Sequence, residues 1–258
     1  MKNESTRVLV ADLDGTLLHD DATLSQFTLD AIQSWLRYGN YFVIATGRAP
    51  RLVRQVLPEA LYSLPWVCYN GAEIYDKRKK IYQNYMTGTT TQKVADFLQY
   101  QYPDSHIRLE IDDHVLTERV IPEWSPETYT VVKLLSSVTS SCAKIIFWLD
   151  NLDRAKFLAD HLPSVVSIIK LPSYNAIEVL SRTASKGTAL AFLLRQWGLD
   201  FKQVIAVGDN VNDWDMIQVS GLGIAVGNAT EQTQSMADAI IATNQQDGVA
   251  QLINQLLS

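Results

Sequence analysis

Cysteine is nearly absent from this chain: Cys68 and Cys142 are the only two in 258 residues. Two cysteines cannot build a disulfide framework, and these fall in different predicted domains, so both are read as reduced packing residues. Long apolar runs are missing too. No stretch approaches the roughly 18 residues that a membrane-spanning helix needs. The polar opening Met1-Lys2-Asn3-Glu4-Ser5-Thr6-Arg7 has no hydrophobic segment of the kind a secretory signal carries, so a cytoplasmic location is expected. Positive charge is also in deficit. With 22 Lys and Arg against 28 Asp and Glu the net charge is -6, and no basic stripe is present to neutralise a nucleic-acid backbone. Nucleic acid and membrane are therefore not expected as partners, and no protein partner is evident. The four histidines, His19, His106, His114 and His161, lack zinc-ligand spacing. Small phosphorylated molecules stay open as ligands, because a metal ion, one or two cations and a few backbone amides suffice to hold them.

Two familiar nucleotide-binding patterns fail as well. Ser185-Lys186-Gly187-Thr188 has the wrong order for a Walker lysine and no glycine loop upstream, and Gly221-x-Gly223 places Val226 where a dinucleotide fingerprint wants a third small residue. Neither internal repeats nor low-complexity tracts occur.

What is present is an alternation of strand-like and helix-like segments. Val8-Ala11, Ser25-Tyr38, Tyr41-Ala45, Pro50-Val56 and Trp66-Tyr69 follow the rhythm of a parallel sheet. In the second of these, Phe27, Leu29, Ile32, Trp35 and Leu36 recur at helical spacing, with Ser25 as N-cap. Ala72-Asp76 and Lys79-Tyr82 read as a hairpin with a basic tip. From Met86 to Thr183 the character changes to short strands with few helices, predicting an α+β domain with an antiparallel sheet. Helices are expected at Thr91-Tyr100 and Leu152-Leu162, and a poorly patterned stretch holds Pro122, Trp124 and Pro126. Parallel rhythm resumes from Lys186 to Leu257. The fold expected is thus α/β: a doubly wound, Rossmann-like parallel-sheet core, residues 1-85 and 184-258, interrupted by an inserted α+β domain, residues 86-183.

Asp12-Leu13-Asp14-Gly15-Thr16 directly follows the first apolar strand. Residues alternate along an extended chain, so Asp12 and Asp14 are expected on one face, one acid to attack a phosphorus centre and the other to manage the leaving group's proton. An acidic turn that merely closes a strand would read the same way in isolation. Three further segments sit at carboxyl ends of predicted strands or open helices, where ligands bind in open α/β sheets. Thr46-Gly47-Arg48 offers a hydroxyl and amides to an anion. Lys186-Gly187 brings a cation to a helix start. Gly208-Asp209-Asn210-Val211-Asn212-Asp213 adds carboxylates that, with Asp12, make a sufficient oxygen set for magnesium without histidine or cysteine.

These four segments, in this order, resemble the motifs of the haloacid dehalogenase (HAD) superfamily. The insert after the second motif, together with Asn70-Gly71-Ala72, Met216, Gly223-Ile224-Ala225-Val226-Gly227-Asn228-Ala229, Ala237-Asp238 and Asn244-x-x-Asp247-Gly248-Val249-Ala250, resembles its Cof-type branch, class IIB with a C2 cap. The resemblance covers essentially the whole chain and implies a magnesium-dependent phosphatase. Asp12 would be nucleophile and Mg2+ ligand. Asp14 would be acid and base, with its carbonyl on the metal. Leu13, Thr46, Gly47, Lys186 and Asn212 would hold the phosphoryl group. Lys186 would also offset charge, and Asp209, Asn210 and Asp213 would serve the metal or its waters. Sugar phosphates come first as substrates, ahead of nucleotides and pyridoxal phosphate. A phosphotransferase or mutase and a non-catalytic sugar-phosphate sensor use the same core, but a sensor is expected to have lost an acid, and related ion pumps carry threonine where Asp14 stands. The cap residues Trp124, Tyr129, Trp148, Tyr174, Arg108 and Lys133 are either pocket or core. Thr183 and Ser181 stand where this branch usually has glycine and proline, which bears on the second cap linker.

Overall fold

The computed structural model describes residues 6–120, 129–133, 135–149, 152–171 and 174–258. It divides into two compact units, Met1–Tyr82 with Ser185–Ser258, and Gln83–Ala184. Expected boundaries lay at 85/86 and 183/184.

The first unit begins with β1 (Val8–Asp12), α1 (Gln26–Arg37), β2 (Tyr41–Ala45), α2 (Pro50–Val56), β3 (Trp66–Cys68), β4 (Glu73–Asp76) and β5 (Lys79–Gln83). In the second unit lie α3 (Gly88–Gln101), β6 (Ile107–Ile111), β7 (His114–Thr117), β8 (Tyr129–Val131), β9 (Lys144–Trp148), α4 (Ala155–His161), β10 (Val166–Leu171) and β11 (Ala176–Ser181). The chain then completes the first unit with α5 (Lys186–Trp197), β12 (Val204–Gly208), α6 (Trp214–Val219), β13 (Leu222–Val226), α7 (Glu231–Met236), β14 (Ala239–Ile241) and α8 (Gly248–Leu257).

The core sheet runs β14-β13-β12-β1-β2-β3-β4-β5. It is parallel from β14 to β3, and β4 turns back antiparallel on β3. The hairpin tip Lys77-Arg78 takes positive φ at both residues, matching the twist of its strands. Val8, Val10, Val43 and Val67 pack against Ala189, Leu190, Leu193 and Leu194 of α5 and against Met216 and Ile217 of α6. Neighbouring residues alternate, so Leu9, Ala11, Phe42 and Ile44 fill the opposite face, and all are buried. Strand order reverses between β1 and β12, and this switch point lies beside the carboxyl ends of both strands.

The apolar face of α1 is rotated from the expected one. Thr28, Ala31, Ile32 and Trp35 are buried, whereas Phe27 is 49% exposed and Leu29 and Leu36 are half-buried. The rotation brings the Thr28 hydroxyl to Asp247 Oδ1 at 3.0 Å, and Ser25 caps the helix as expected by accepting from the Thr28 N–H.

The second sheet runs β10-β11-β9-β6-β7-β8, with α3 and α4 packed on one face over Leu109, Ile145, Phe147, Ile177 and Val179. It is antiparallel except for β7 and β8, which pair in parallel, so the expectation of an antiparallel sheet needs that correction. The register pairs Val115 with Tyr129, Leu116 with Thr130 and Thr117 with Val131. Trp124 lies outside the described residues. Tyr129 is buried with Val115, the Arg108 guanidinium lies 4.5 Å from the Trp148 ring centroid, and Tyr174 and Lys133 are exposed. Thr183 is not among the residues of positive φ, so its Cβ meets no backbone obstacle. Its hydroxyl and that of Ser181 instead share the Asn84 side chain, at 3.0 to 3.2 Å.

Candidate active site

Asp12 is the last residue of β1 and is buried, with Ala11 of the same strand paired to Val207 of β12. After it the chain leaves the extended form. Leu13–Leu17 make a wide turn with Gly15 at φ 77, closed by the Leu18 N–H on the Leu13 carbonyl at 2.9 Å. Strand alternation therefore stops before Asp14, which corrects the expectation that the two acids share a strand face. The Asp14 side chain is 50% exposed and lies in a two-pronged pair with Arg48, the residue after Gly47.

Lys186 opens α5, whose start is secured by a capping box between Ser185 and Thr188. Its ammonium is fully buried and donates to Asp12 Oδ1 and, at 2.6 Å, to Asp213 Oδ1. Asp213 is fixed in turn by the N–H groups of Asp209 and Asn210, which donate to its Oδ2 at 2.9 and 3.1 Å. A side chain at Gly208 could not fit, since a Cβ there would meet the Asp213 Cβ at 2.5 Å. Asp209 completes the group, accepting from Thr16 Oγ1 at 3.3 Å.

Carboxylate oxygens of Asp12, Asp209 and Asp213 all lie within 4.8 Å of one another. Three acids thus face one ammonium in a site withdrawn from water. Burial raises Asp12 well above the ordinary carboxylate range, with Asp213 and Asp209 adding to it and Lys186 opposing. Burial and then the charge of Asp213 push Asp209 up to about 7. Burial also works against the Lys186 charge, but Asp12 and Asp213 outweigh it and its pKa is raised, so the ammonium stays protonated. A cluster of hard oxygen donors carrying excess negative charge fits a magnesium-sized divalent cation, which would bring both carboxylates back down.

The other expected residues fall around this centre in different ways. Thr46 follows β2, is buried, and accepts the Arg48 N–H on its hydroxyl at 3.0 Å. Leu13 is buried and Gly47 half-buried. Asn212 donates to Asn70 Oδ1 at 3.1 Å. The Asn210 side chain accepts from the Val211 N–H at 2.8 Å and caps the turn Val211–Asp213, while its own N–H donates to Asp213. Arg48 and Asn70 belong to the same sequence motifs, and nothing in their spacing points to a role for either. Asn70 is buried and left-handed at φ 53, next to Tyr69 at φ 51, two unusual residues in a row beside Gly47. The visible signal for both was their position directly after Gly47 and directly before Gly71.

The profile of the haloacid dehalogenase-like hydrolases matches residues 9–253. The chain belongs to that family. Curated relatives of this HAD hydrolase include the 5-amino-6-(5-phospho-D-ribitylamino)uracil phosphatase YitU of Bacillus subtilis, 27% identical over 97% of both chains. The pyridoxal phosphate phosphatase YbhA of Escherichia coli is 25% identical over 96% of this chain and 98% of its own. Among solved structures, the HAD subclass IIB sugar phosphatase BT4131 superposes with a TM-score of 0.82 at 17% identity, over 97% and 99% of the two chains, a likeness of fold. The protein is an enzyme, a HAD-type phosphatase of the Cof branch. Among the described residues no helix is long and apolar enough to cross a membrane.

Proposed function

We propose that this phosphatase is magnesium-dependent and hydrolyses small phosphorylated metabolites, sugar phosphates foremost, through an aspartyl-phosphate on Asp12. The observation that carries the reading is the buried Asp12 carboxylate, hydrogen-bonded to the Lys186 ammonium and clustered with Asp209 and Asp213. An Asp12 oxygen attacks phosphorus, the bond from phosphorus to the ester oxygen breaks, and that oxygen takes a proton from Asp14. In the second half a water attacks the phosphorus of the acyl phosphate and gives its proton to Asp14, which frees Asp12 and orthophosphate. Thr46, with the amides of Leu13 and Gly47, holds the phosphoryl oxygens. Lys186 offsets their charge, and Asn212 reaches the phosphate once it leaves Asn70. Asp12, Asp14, Asp209, Asn210 and Asp213 would hold Mg2+ or its waters, and the ion would supply the positive charge that lets two anions approach. The phosphoribityl group in the name of the Bacillus relative's substrate supports the preference for phosphorylated sugars and polyols. The inserted unit is assigned the choice of substrate.

Phosphate release from a panel of sugar phosphates, nucleotides, pyridoxal phosphate and an aryl phosphate tests this, with and without magnesium, for wild type beside Asp12→Asn. Release that needs both the metal and Asp12 is expected, fastest on a sugar phosphate. Turnover surviving in Asp12→Asn overturns the mechanism, and pyridoxal phosphate or a nucleotide leading the panel overturns the substrate preference.

A further inference from the structure

The turn that carries Asp14 contains the least restrained residue type at its tightest point. Gly15 has no Cβ to limit its dihedrals, and a Cβ there would sit on a backbone at φ 77 that side chains rarely adopt and 2.8 Å from Asp209 Oδ2. A glycine directly after a group that must deliver a proton to one oxygen needs an external restraint, because rotation about it swings the preceding peptide and the Asp14 side chain with it. On the inner side, Thr16 supplies one through its hydroxyl bond to Asp209.

The outer side is held by residues far along the chain. Asn228 Nδ2 donates to the Gly15 carbonyl at 2.7 Å, and Asn228 Oδ1 accepts the Asn244 N–H at 3.0 Å. One planar amide thus ties the Asp14 turn to the turn Asn244–Gln246 ahead of α8. That second turn is itself anchored. Asn244 is buried and spends both side-chain N–H bonds, on the Leu18 carbonyl at 3.0 Å and on Asp20 Oδ1 at 2.9 Å. Asp247, left-handed at φ 55, has an Oδ1 that accepts from Ser25 Oγ at 2.6 Å and Thr28 Oγ1 at 3.0 Å and lies 2.9 Å from His19 Nε2. Asn228, by contrast, is exposed and sits on a loop after β13. An exposed side chain whose two ends both meet backbone groups of other segments is restraining those segments, not filling a core.

We infer that Asn228 is a positioning residue for Asp14: its amide, braced on the Asn244 N–H, clamps the Gly15 carbonyl and holds the acid over the leaving-group oxygen. The inference rests on the assignment of Asp14 as general acid in the reading above. Removing the clamp leaves Asp12, Lys186, Asp209 and Asp213 in place, so attack is preserved and proton delivery suffers. The loss should then scale with how much the leaving group needs a proton.

Two esters of nearly the same shape separate the effects, phenyl phosphate and p-nitrophenyl phosphate, because phenolate is by far the poorer leaving group. The parameter is kcat/KM with saturating magnesium, which reports the steps up to formation of the aspartyl-phosphate. Asn228→Ala removes both arms of the amide. Asn228→Asp keeps the acceptor for Asn244 and removes the donor to Gly15. Both variants are expected to lose roughly tenfold or more on phenyl phosphate and less than about twofold on p-nitrophenyl phosphate, with thermal midpoints near wild type. Equal losses on the two esters, or wild-type behaviour of either variant on phenyl phosphate, overturn the inference. Asp14→Asn in the same assay keeps the two failures apart. If it too lowers both esters equally, the general-acid assignment falls. If it discriminates and the Asn228 variants do not, only the clamp falls.

Discussion

Asp14 and Arg48 form a two-pronged ion pair, Arg48 Nε to Oδ2 at 2.8 Å and Nη2 to Oδ1 at 2.6 Å. The fork geometry fixes the plane of the Asp14 carboxylate, and half of that side chain is open to solvent. An exposed pair contributes at most about 1 kcal/mol to stability, so its value lies in orientation. Arg48→Ala is expected to move the thermal midpoint by no more than about 3 °C while lowering kcat/KM on a poor leaving group by on the order of tenfold. A calorimetric scan beside steady-state kinetics checks both halves, and unchanged kinetics would remove Arg48 from the mechanism.

Asp12→Asn should abolish turnover, with a loss of at least about a thousandfold, because an amide oxygen is a poor nucleophile towards phosphorus. The variant should stay folded, since Asn fills the same volume and Lys186 keeps Asp213 as partner. Rapid acid quench with labelled phosphate ester should trap phosphoenzyme in the wild type and none in Asp12→Asn; label on the variant would place the nucleophile elsewhere.

Lys186 is the cation that makes two buried acids tolerable. Its removal leaves Asp12 and Asp213 facing each other without compensation, and breaking such a buried cluster typically costs about 3–5 kcal/mol. For a chain of this size that is a drop of roughly 10 °C in midpoint for Lys186→Ala without metal. Magnesium should recover part of it by supplying the missing charge. A midpoint unchanged in metal-free buffer would show that the ammonium is not carrying the two carboxylates.

The raised pKa of Asp209, about 7, gives the metal-free protein a specific pH dependence. The folded state holds this proton more tightly than the unfolded chain does. Its contribution to stability is therefore full below the ordinary carboxylate pKa of 3.8 and is lost as pH rises through about 7. Denaturant titrations of wild type and Asp209→Asn between pH 5 and pH 8 isolate it: the wild type should lose stability relative to the variant as pH rises. Magnesium at pH 8 should restore the wild type and stabilise the variant less, since the variant keeps Asp12 and Asp213 but lacks the Asp209 carboxylate. Parallel curves for the two proteins would rule out this titration.

The sequence showed the core well because its signals are periodic. β1, β2 and β12 are apolar runs ending in small or acidic residues, and that punctuation places Asp12 and Asp209 at neighbouring strand ends. Helix α7 was missed because Glu231–Met236 is polar almost throughout and has no face to detect. The buried face of α1 runs through Thr28, Ala31, Ile32 and Trp35, and Thr28 does not read as part of an apolar face because the partner that satisfies its hydroxyl, Asp247, lies over two hundred positions away. Separation along the chain likewise hid Arg48 on Asp14, 34 positions apart, Asn70 on Asn212, 142 apart, and Asn228 on Gly15, 213 apart. Each is a polar contact between loops, whose formation depends on where the sheet brings its strand ends and leaves no local periodicity to read.

The placement of β1 at the switch point has a consequence for how the protein is made. Val8 pairs with Tyr41 on one side and with Val204 on the other, and the second partner follows the whole inserted unit. A growing chain that has already finished the insert still carries β1 with one side unpaired, a row of free N–H and C=O groups beside a buried apolar strand. Neither the ammonium of Lys186 nor the acids of Asp209 and Asp213 has yet arrived to meet Asp12. A chain that stops short of Asp213 thus lacks part of the charged cluster around Asp12, however completely the residues before it have folded.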